Sequence, residues 1–187
     1  MTGRTRAYAW QVPGDRVTRK KAQNASYLCC YAAISIHGVS PLIVVGESHK
    51  RVVVPNSDQF QAALDQLIEW EKGLPRDRRL KTPYKWVMDN AKAHTSSSTK
   101  QYMEQHQVVR IEDWPPQSPD LNLIENAWSK LRSELNKVVQ PKSFELWKAA
   151  VHRAWSQIPQ SMIDNMYEDW DRRLQQVVSL KGAGPVA

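Results

Sequence analysis

Two carboxylates stand where folding could turn them into metal ligands. Asp89 closes the short apolar run Trp86-Val87-Met88, and Glu125 follows the proline-rich lead-in Trp114-Pro115-Pro116-Gln117-Ser118-Pro119-Asp120-Leu121-Asn122-Leu123-Ile124. Carboxylates are hard oxygen ligands, suited to Mg²⁺ or Mn²⁺. Two such ions about 3.5–4 Å apart activate an attacking oxygen and stabilise a leaving one in phosphodiester displacement. One Asp and one Glu by themselves are as readily explained as solvated surface acids, so context must decide.

The elements that position them come next. Tyr84 to Met88 reads as a short strand that delivers Asp89 to its C-terminal end, where an α/β sheet opens onto a crevice. Ser118 and Pro119 read as the N-cap and first position of a long helix. Its apolar line is Leu121, Ile124, Trp128, Leu131, Leu135 and Val138. A helix turns about 100° per residue, so Glu125, next to Ile124, falls at the margin of the buried face and can point into a cleft.

Arg6 to Val12 alternates as a half-buried strand, ended by Pro13-Gly14. Ser26 to Ile36 is nearly all apolar, as in a strand covered on both faces. His37 to Ser40 turns the chain, and Pro41 to Val45 returns as a hairpin strand. Ser57 is positioned to cap a helix with Phe60, Leu64, Leu67 and Ile68 at helical spacing, and Lys72 to Lys81 reads as a loop. A helix over Ser97–Gln105 and a strand over Val108–Ile111 follow. Two amphipathic helices close the chain, one on Phe144, Trp147, Val151, Trp155 and Ile158, the other on Ile163, Met166, Trp170, Leu174 and Val177. Most of the tryptophans are expected in the core. The order of elements predicts an α/β fold, a mixed sheet flanked by helices.

Bulk properties narrow the function classes. A chain of 187 residues, 41% hydrophobic and 24% charged, suits one domain with a hydrophobic core. No apolar run approaches the ~20 residues that cross a bilayer, so no membrane partner is expected. The N-terminal residues carry no apolar stretch of the kind a secretion signal needs. The two cysteines, Cys29 and Cys30, are adjacent, which provides neither a disulfide framework nor a zinc site. The net charge of +7 favours polyanionic partners. Arg4, Arg6, Arg16, Arg19, Lys20 and Lys21 stand against Asp15 alone in the first 21 residues; this cluster reads as a solvated loop or as a phosphate-contacting patch, with Arg16, Arg19, Lys20 and Lys21 the candidate nucleic-acid contacts.

Asp89-Asn90-Ala91-Lys92-Ala93-His94-Thr95, followed by Trp-Pro-x-Gln-Ser-Pro-Asp-Leu-Asn before Glu125, resembles the DDE catalytic domain of Tc1/mariner-type transposases. Tyr8-Ala9-Trp10 with Pro13-Gly14, Cys29 to Ser35 with Gly38, and Ile158-Pro159 through Lys181-Gly182 are similar to further segments of that family. The resemblance spans nearly the whole chain, with residues 1–180 as the catalytic domain and 181–187 as a tail. It implies an RNase H-like fold and metal-dependent cleavage and joining of DNA strands. It makes Asp89 the second acid and Glu125 the third, both catalytic and both ligands of Mg²⁺ or Mn²⁺. Asn90 and His94 are then loop-fixing residues, Asp120 and Asn122 helix-start structure, and Asp113 not a ligand. The implied partner is DNA bearing transposon ends, with a homodimer as an allowed assembly and the nucleus as the location.

In the family the first acid lies on a strand upstream of the Tyr-x-Trp segment, and here only seven residues, none acidic, precede Tyr8. The first strand, the first acid and the helix-turn-helix modules before them are therefore expected to be missing, and neither Asp15 nor Glu47 is expected to replace that acid. On this expectation the polypeptide is inactive and marginally stable unless a partner supplies a strand. A different class of function, a non-catalytic nucleic-acid-binding or interaction module derived from such a domain, is the alternative. A small nuclease with another acid set would need a replacement acid that the sequence does not offer.

Overall fold

The computed structural model describes residues 27–48, 52–78, 80, 84–112, 114–115, 118, 121–137 and 143–181. The expected strand at Arg6–Val12, the basic cluster with Arg16, Arg19, Lys20 and Lys21, and the tail beyond Lys181 lie outside the described residues.

The apolar stretch after Ser26 is not one strand but two. β1 (Tyr27–Tyr31) stops at Ala32-Ala33, and β2 (Ile34–Ser35) resumes beyond them. Ser40 pins this break from across the hairpin. Its N–H donates to Ala33 O at 2.9 Å, and its Oγ accepts the Ala33 N–H at 2.8 Å. Gly38, at a φ of 122°, turns the chain into β3 (Gly38–Val39), which pairs antiparallel with β2. β4 (Ile43–Ser48) then runs antiparallel to β1, with a bulge between Cys29 and Cys30.

α1 (Ser57–Gly73) is capped by Asn56 rather than by Ser57. The Asn56 side chain accepts the Gln59 N–H and the Gln59 side chain accepts the Asn56 N–H, a reciprocal capping box. Ser57 Oγ instead donates to Ser96 Oγ at 2.8 Å. The charged stretch read as a loop from Lys72 begins two residues later, after Gly73, and includes a single 3₁₀ turn at Arg76–Arg78.

Neither Tyr84–Met88 nor Val108–Ile111 forms a full strand. They meet in one parallel bridge, Trp86 with Arg110, where Trp86 N–H donates to Val109 O and Ile111 N–H donates to Trp86 O. Between them lie α2 (Lys92–Thr95), unforeseen in the sequence, and α3 (Ser97–Gln105), which matches the expected bounds.

The remaining helices are α4 (Ile124–Lys137), α5 (Phe144–Ser156) and α6 (Gln160–Ser179). α4 begins at Ile124, not at Ser118. Leu121 and Leu123 are both buried, two positions about 200° apart on a helix, which cannot share one buried stripe. A turn, Leu121 N–H to Ser118 O, precedes it.

The main core joins Leu42, just before β4, and Leu123, just before α4, to α4, α5 and α6 through Ala127, Leu131, Val151, Trp155, Ile163 and Met166. Trp155 is almost fully buried, and its Nε1–H donates to Ser40 O at 2.7 Å. Trp128 packs on it with ring centroids 4.5 Å apart, while Trp170 Nε1–H donates to Leu121 O. The tryptophans of this region are therefore core residues, as expected. A second cluster, Phe60, Leu64, Ile68, Met88, Ala93 and Met103, packs α1 against α2 and α3. No described helix is long and apolar enough to cross a membrane.

Candidate active site

Burial places Asp89. Met88, the residue before it, is 8% exposed within the second core cluster, and Ala93 on α2 is sunk in the same cluster. The intervening residues must then arch over the surface. Asp89 closes that arch on itself: its Oδ1 accepts the Ala91 N–H at 3.1 Å, an Asx-type turn. α2 is tied to α3 by the buried Thr99 hydroxyl, which donates to Ala93 O at 2.7 Å.

His94 stands under Asp89. Its Nδ1 is 2.7 Å from Asp89 Oδ1, and its ring lies 4.2 Å from Phe60 and 5.7 Å from Tyr31, centroid to centroid. An ionised carboxylate only accepts, so Nδ1 carries the proton in this pair. Nε2 is buried with no partner among the described residues. With one ring nitrogen engaged and the other enclosed, His94 acts as an orienting group, in keeping with its expected loop-fixing role. Its hydrogen bond holds the Asp89 carboxyl below the ordinary carboxylate range, against an opposing push from desolvation and with smaller help from Ala91 N–H and Arg110. Tyr31 belongs to the same surroundings: burial pushes its hydroxyl up, with Cys29 and the Asp89 charge adding to the effect.

Asn90 reaches the other way. Its Nδ2 donates to Trp114 O at 3.2 Å, and its Oδ1 accepts from the Arg110 guanidinium at 3.2 Å. Trp114 is itself buried, 9% exposed, at the start of the lead-in to α4. Asn90 thus fastens the Asp89 segment to the chain that leads to Glu125, which is the loop-fixing role expected of it.

Glu125 lies in the first turn of α4, partly buried, and its N–H donates to Asn122 O at 3.0 Å. A carboxylate there is favoured by the helix dipole. Asn122 contributes its carbonyl to the helix start, as expected, while Asp113 and Asp120 lie outside the described residues. No hydrogen bond joins the Asp89 and Glu125 carboxylates.

The donor chemistry of this pair fits a hard divalent cation. Both described contacts of the Asp89 carboxylate fall on Oδ1, which leaves Oδ2 on a side chain 65% exposed, and the Glu125 carboxylate has no described protein partner. The number of donors is two: among the described residues no group of three or more His, Cys, Asp and Glu side chains is placed to hold a metal. Glu47 is engaged in an ion pair with Lys148 at 2.9 Å. The thiols offer no alternative chemistry, since burial pushes Cys30 up to about 12 and Cys29 upward as well.

Arg110, Tyr31 and Phe60 were not singled out as site residues from the sequence. Their roles depend on pairings across the chain, and neither residue type nor spacing signals them.

A family model described as DDE superfamily endonuclease matches residues 1–146. The Tcb1 transposase of Caenorhabditis briggsae is 35% identical over 99 residues, 52% of this chain and 36% of that protein. The Tc1 transposase of Caenorhabditis elegans is 34% identical over 94 residues, 50% of this chain and 34% of that protein. The Tc3 transposase of the same nematode is 30% identical over 130 residues, 68% of this chain and 37% of that protein. The chain thus spans little more than a third of the length of the curated relatives it matches. The Mos1 transposase catalytic domain, solved with raltegravir and Mg, superposes with a TM-score of 0.69 at 15% identity, covering 86% of this chain and 77% of that one. The crystal structure of the Mos1 mariner transposase catalytic domain does so at 0.65 and 17% identity, covering 85% and 75%. These likenesses establish the fold, the RNase H-like mixed sheet flanked by helices.

Proposed function

Because the chain belongs to the DDE superfamily endonuclease family, in its Tc1/mariner branch, we propose that it is a transposase catalytic domain whose chemistry is metal-dependent cleavage and joining of DNA strands in transposition. The observation that carries this reading is the Asn90 amide, which links the segment of Asp89 to the Trp114 lead-in of Glu125. The two acidic motifs, separate in sequence, share one hydrogen-bonded scaffold.

On this reading Asp89 and Glu125 hold Mg²⁺ or Mn²⁺, the ions solved with the Mos1 catalytic domain. Such an ion, when bound, activates the attacking oxygen and stabilises the leaving one. Asp89 is kept ionised by His94 and presents Oδ2 as a ligand atom. Glu125 is held by the first turn of α4. Arg16, Arg19, Lys20 and Lys21 contact DNA phosphates near the transposon ends, a homodimer brings two ends together, and the nucleus is where that substrate lies.

The test is iron-directed cleavage. Fe²⁺ with ascorbate and peroxide cuts a polypeptide beside the bound ion. Cuts near both residue 89 and residue 125 are expected, and both should vanish in Glu125→Gln. Cuts at only one of the two positions, or none, would refute a shared site.

A further inference from the structure

We infer that Arg110 is a positioning residue, which orients the Asn90 amide and so locks the segment bearing Asp89 to the lead-in of the helix bearing Glu125. This deepens the proposed metal-site reading and rests on it.

A guanidinium has donors only, and a backbone carbonyl accepts only. Asn90 stands between the two, with Arg110 3.2 Å from its Oδ1 and Trp114 O 3.2 Å from its Nδ2. Only one of the two amide orientations satisfies both neighbours. Flipping it would set Nδ2 against the guanidinium and Oδ1 against the carbonyl, with two repulsive contacts. Arg110 therefore determines which face of Asn90 meets Trp114.

Arg110 is able to do this because its own backbone is fixed. It lies in register with Trp86, and the bonds from Trp86 N–H to Val109 O and from Ile111 N–H to Trp86 O close the bridge. Trp86 stands three residues before Asp89, so one bridge sets both the carboxylate segment and the arginine that braces it. Val109, beside Arg110, is exposed, and Arg110 itself is half-buried, which leaves its guanidinium close to the surface where Asn90 sits. Without Arg110 the exposed Asn90 amide would exchange its partner for water, and the Asp89 arch would lose its tie to Trp114. The charge of Arg110 is also near enough to favour the ionised form of Asp89.

Two readouts test this, one of them independent of metal. In a ¹⁵N-labelled chain, the Asn90 side-chain amide is identified by its loss in Asn90→Ala. It is expected to move toward free-amide positions in Arg110→Met and to return part-way in Arg110→Lys, which restores a donor and the charge. An unchanged Asn90 signal in Arg110→Met would overturn the inference. The second readout is Mn²⁺ affinity by calorimetry, with thermal melts confirming that the variants fold. Outer partners of ligating carboxylates change metal affinity by 10–100-fold, so about a 10-fold loss is expected in Arg110→Met. Adding Asn90→Ala to that variant should cost nothing further. If the wild type binds Mn²⁺ and Arg110→Met binds it equally well, or the two losses multiply, the inference fails while the metal site stands. If the wild type binds no Mn²⁺, the metal-site reading fails, and the Asn90 signal alone decides whether Arg110 sets the amide.

Discussion

Nδ1 of His94 lies 2.7 Å from Oδ1 of Asp89, at the foot of an arch whose two ends are buried at Met88 and Ala93. The hydrogen bond is the largest cause of the downward shift of the Asp89 carboxyl from its ordinary value of 3.8. A carboxylate whose folded value is depressed stabilises the fold fully above its unfolded value, about pH 4, and loses that contribution as pH falls through the folded value. In metal-free buffer, carbon-13 titration of Asp89 should show a midpoint below the usual range. In His94→Ala that midpoint should rise; an unmoved midpoint would remove His94 as the cause.

Trp155 supplies a second prediction. Its ring fills the main core, and its Nε1–H satisfies the carbonyl of buried Ser40, the residue that pins the break between β1 and β2. Trp155→Phe keeps most of the apolar volume and leaves that carbonyl without its donor. The expected cost is about 1–3 kcal/mol, seen as a lower urea midpoint with little change in slope. A loss well under 0.5 kcal/mol would show that Ser40 O finds water instead.

Cys29 and Cys30 should be poor nucleophiles in the folded chain. With Cys30 raised to about 12, essentially no thiolate exists at pH 8. A thiol-specific disulfide reagent should modify both cysteines rapidly in denaturant and only slowly in native buffer. Rapid native modification of Cys30 would contradict its described burial.

The basic cluster can be tested through salt. If Arg16, Arg19, Lys20 and Lys21 each contact a phosphate, replacing all four by Gln should lower the slope of log K against log salt for duplex DNA by roughly 3–4. An unchanged slope would mean that these side chains stay in solvent.

Legibility in the sequence followed the range of the interactions. α3 was readable at its bounds, and α5 and α6 by their 3.6-residue apolar lines, because helical periodicity is a local signal. The start of α4 was not, since Ser118-Pro119 has the chemistry of a helix start, but Leu121 and Leu123 are both buried and would fall on different faces of a helix begun there. Asn56 displaced Ser57 as the cap because its reciprocal pairing with Gln59 satisfies two backbone groups at once. The expected strands at Tyr84 and Val108 shrank to a single bridge, and pairing across the chain is what no local pattern reports. At the site, Asp89, Asn90, His94 and Glu125 were visible through their motif. Arg110 was not, because its importance lies in a register with Trp86.

The central claim is that Asp89 and Glu125 form one metal-binding pair. Calorimetry of Mn²⁺ binding to the purified chain, beside an Asp89→Ala/Glu125→Ala double variant, tests it most directly. Saturable binding to the wild type is expected, and it should disappear in the double variant while the thermal melt is retained. No binding, or the same weak heats in both proteins, would contradict it.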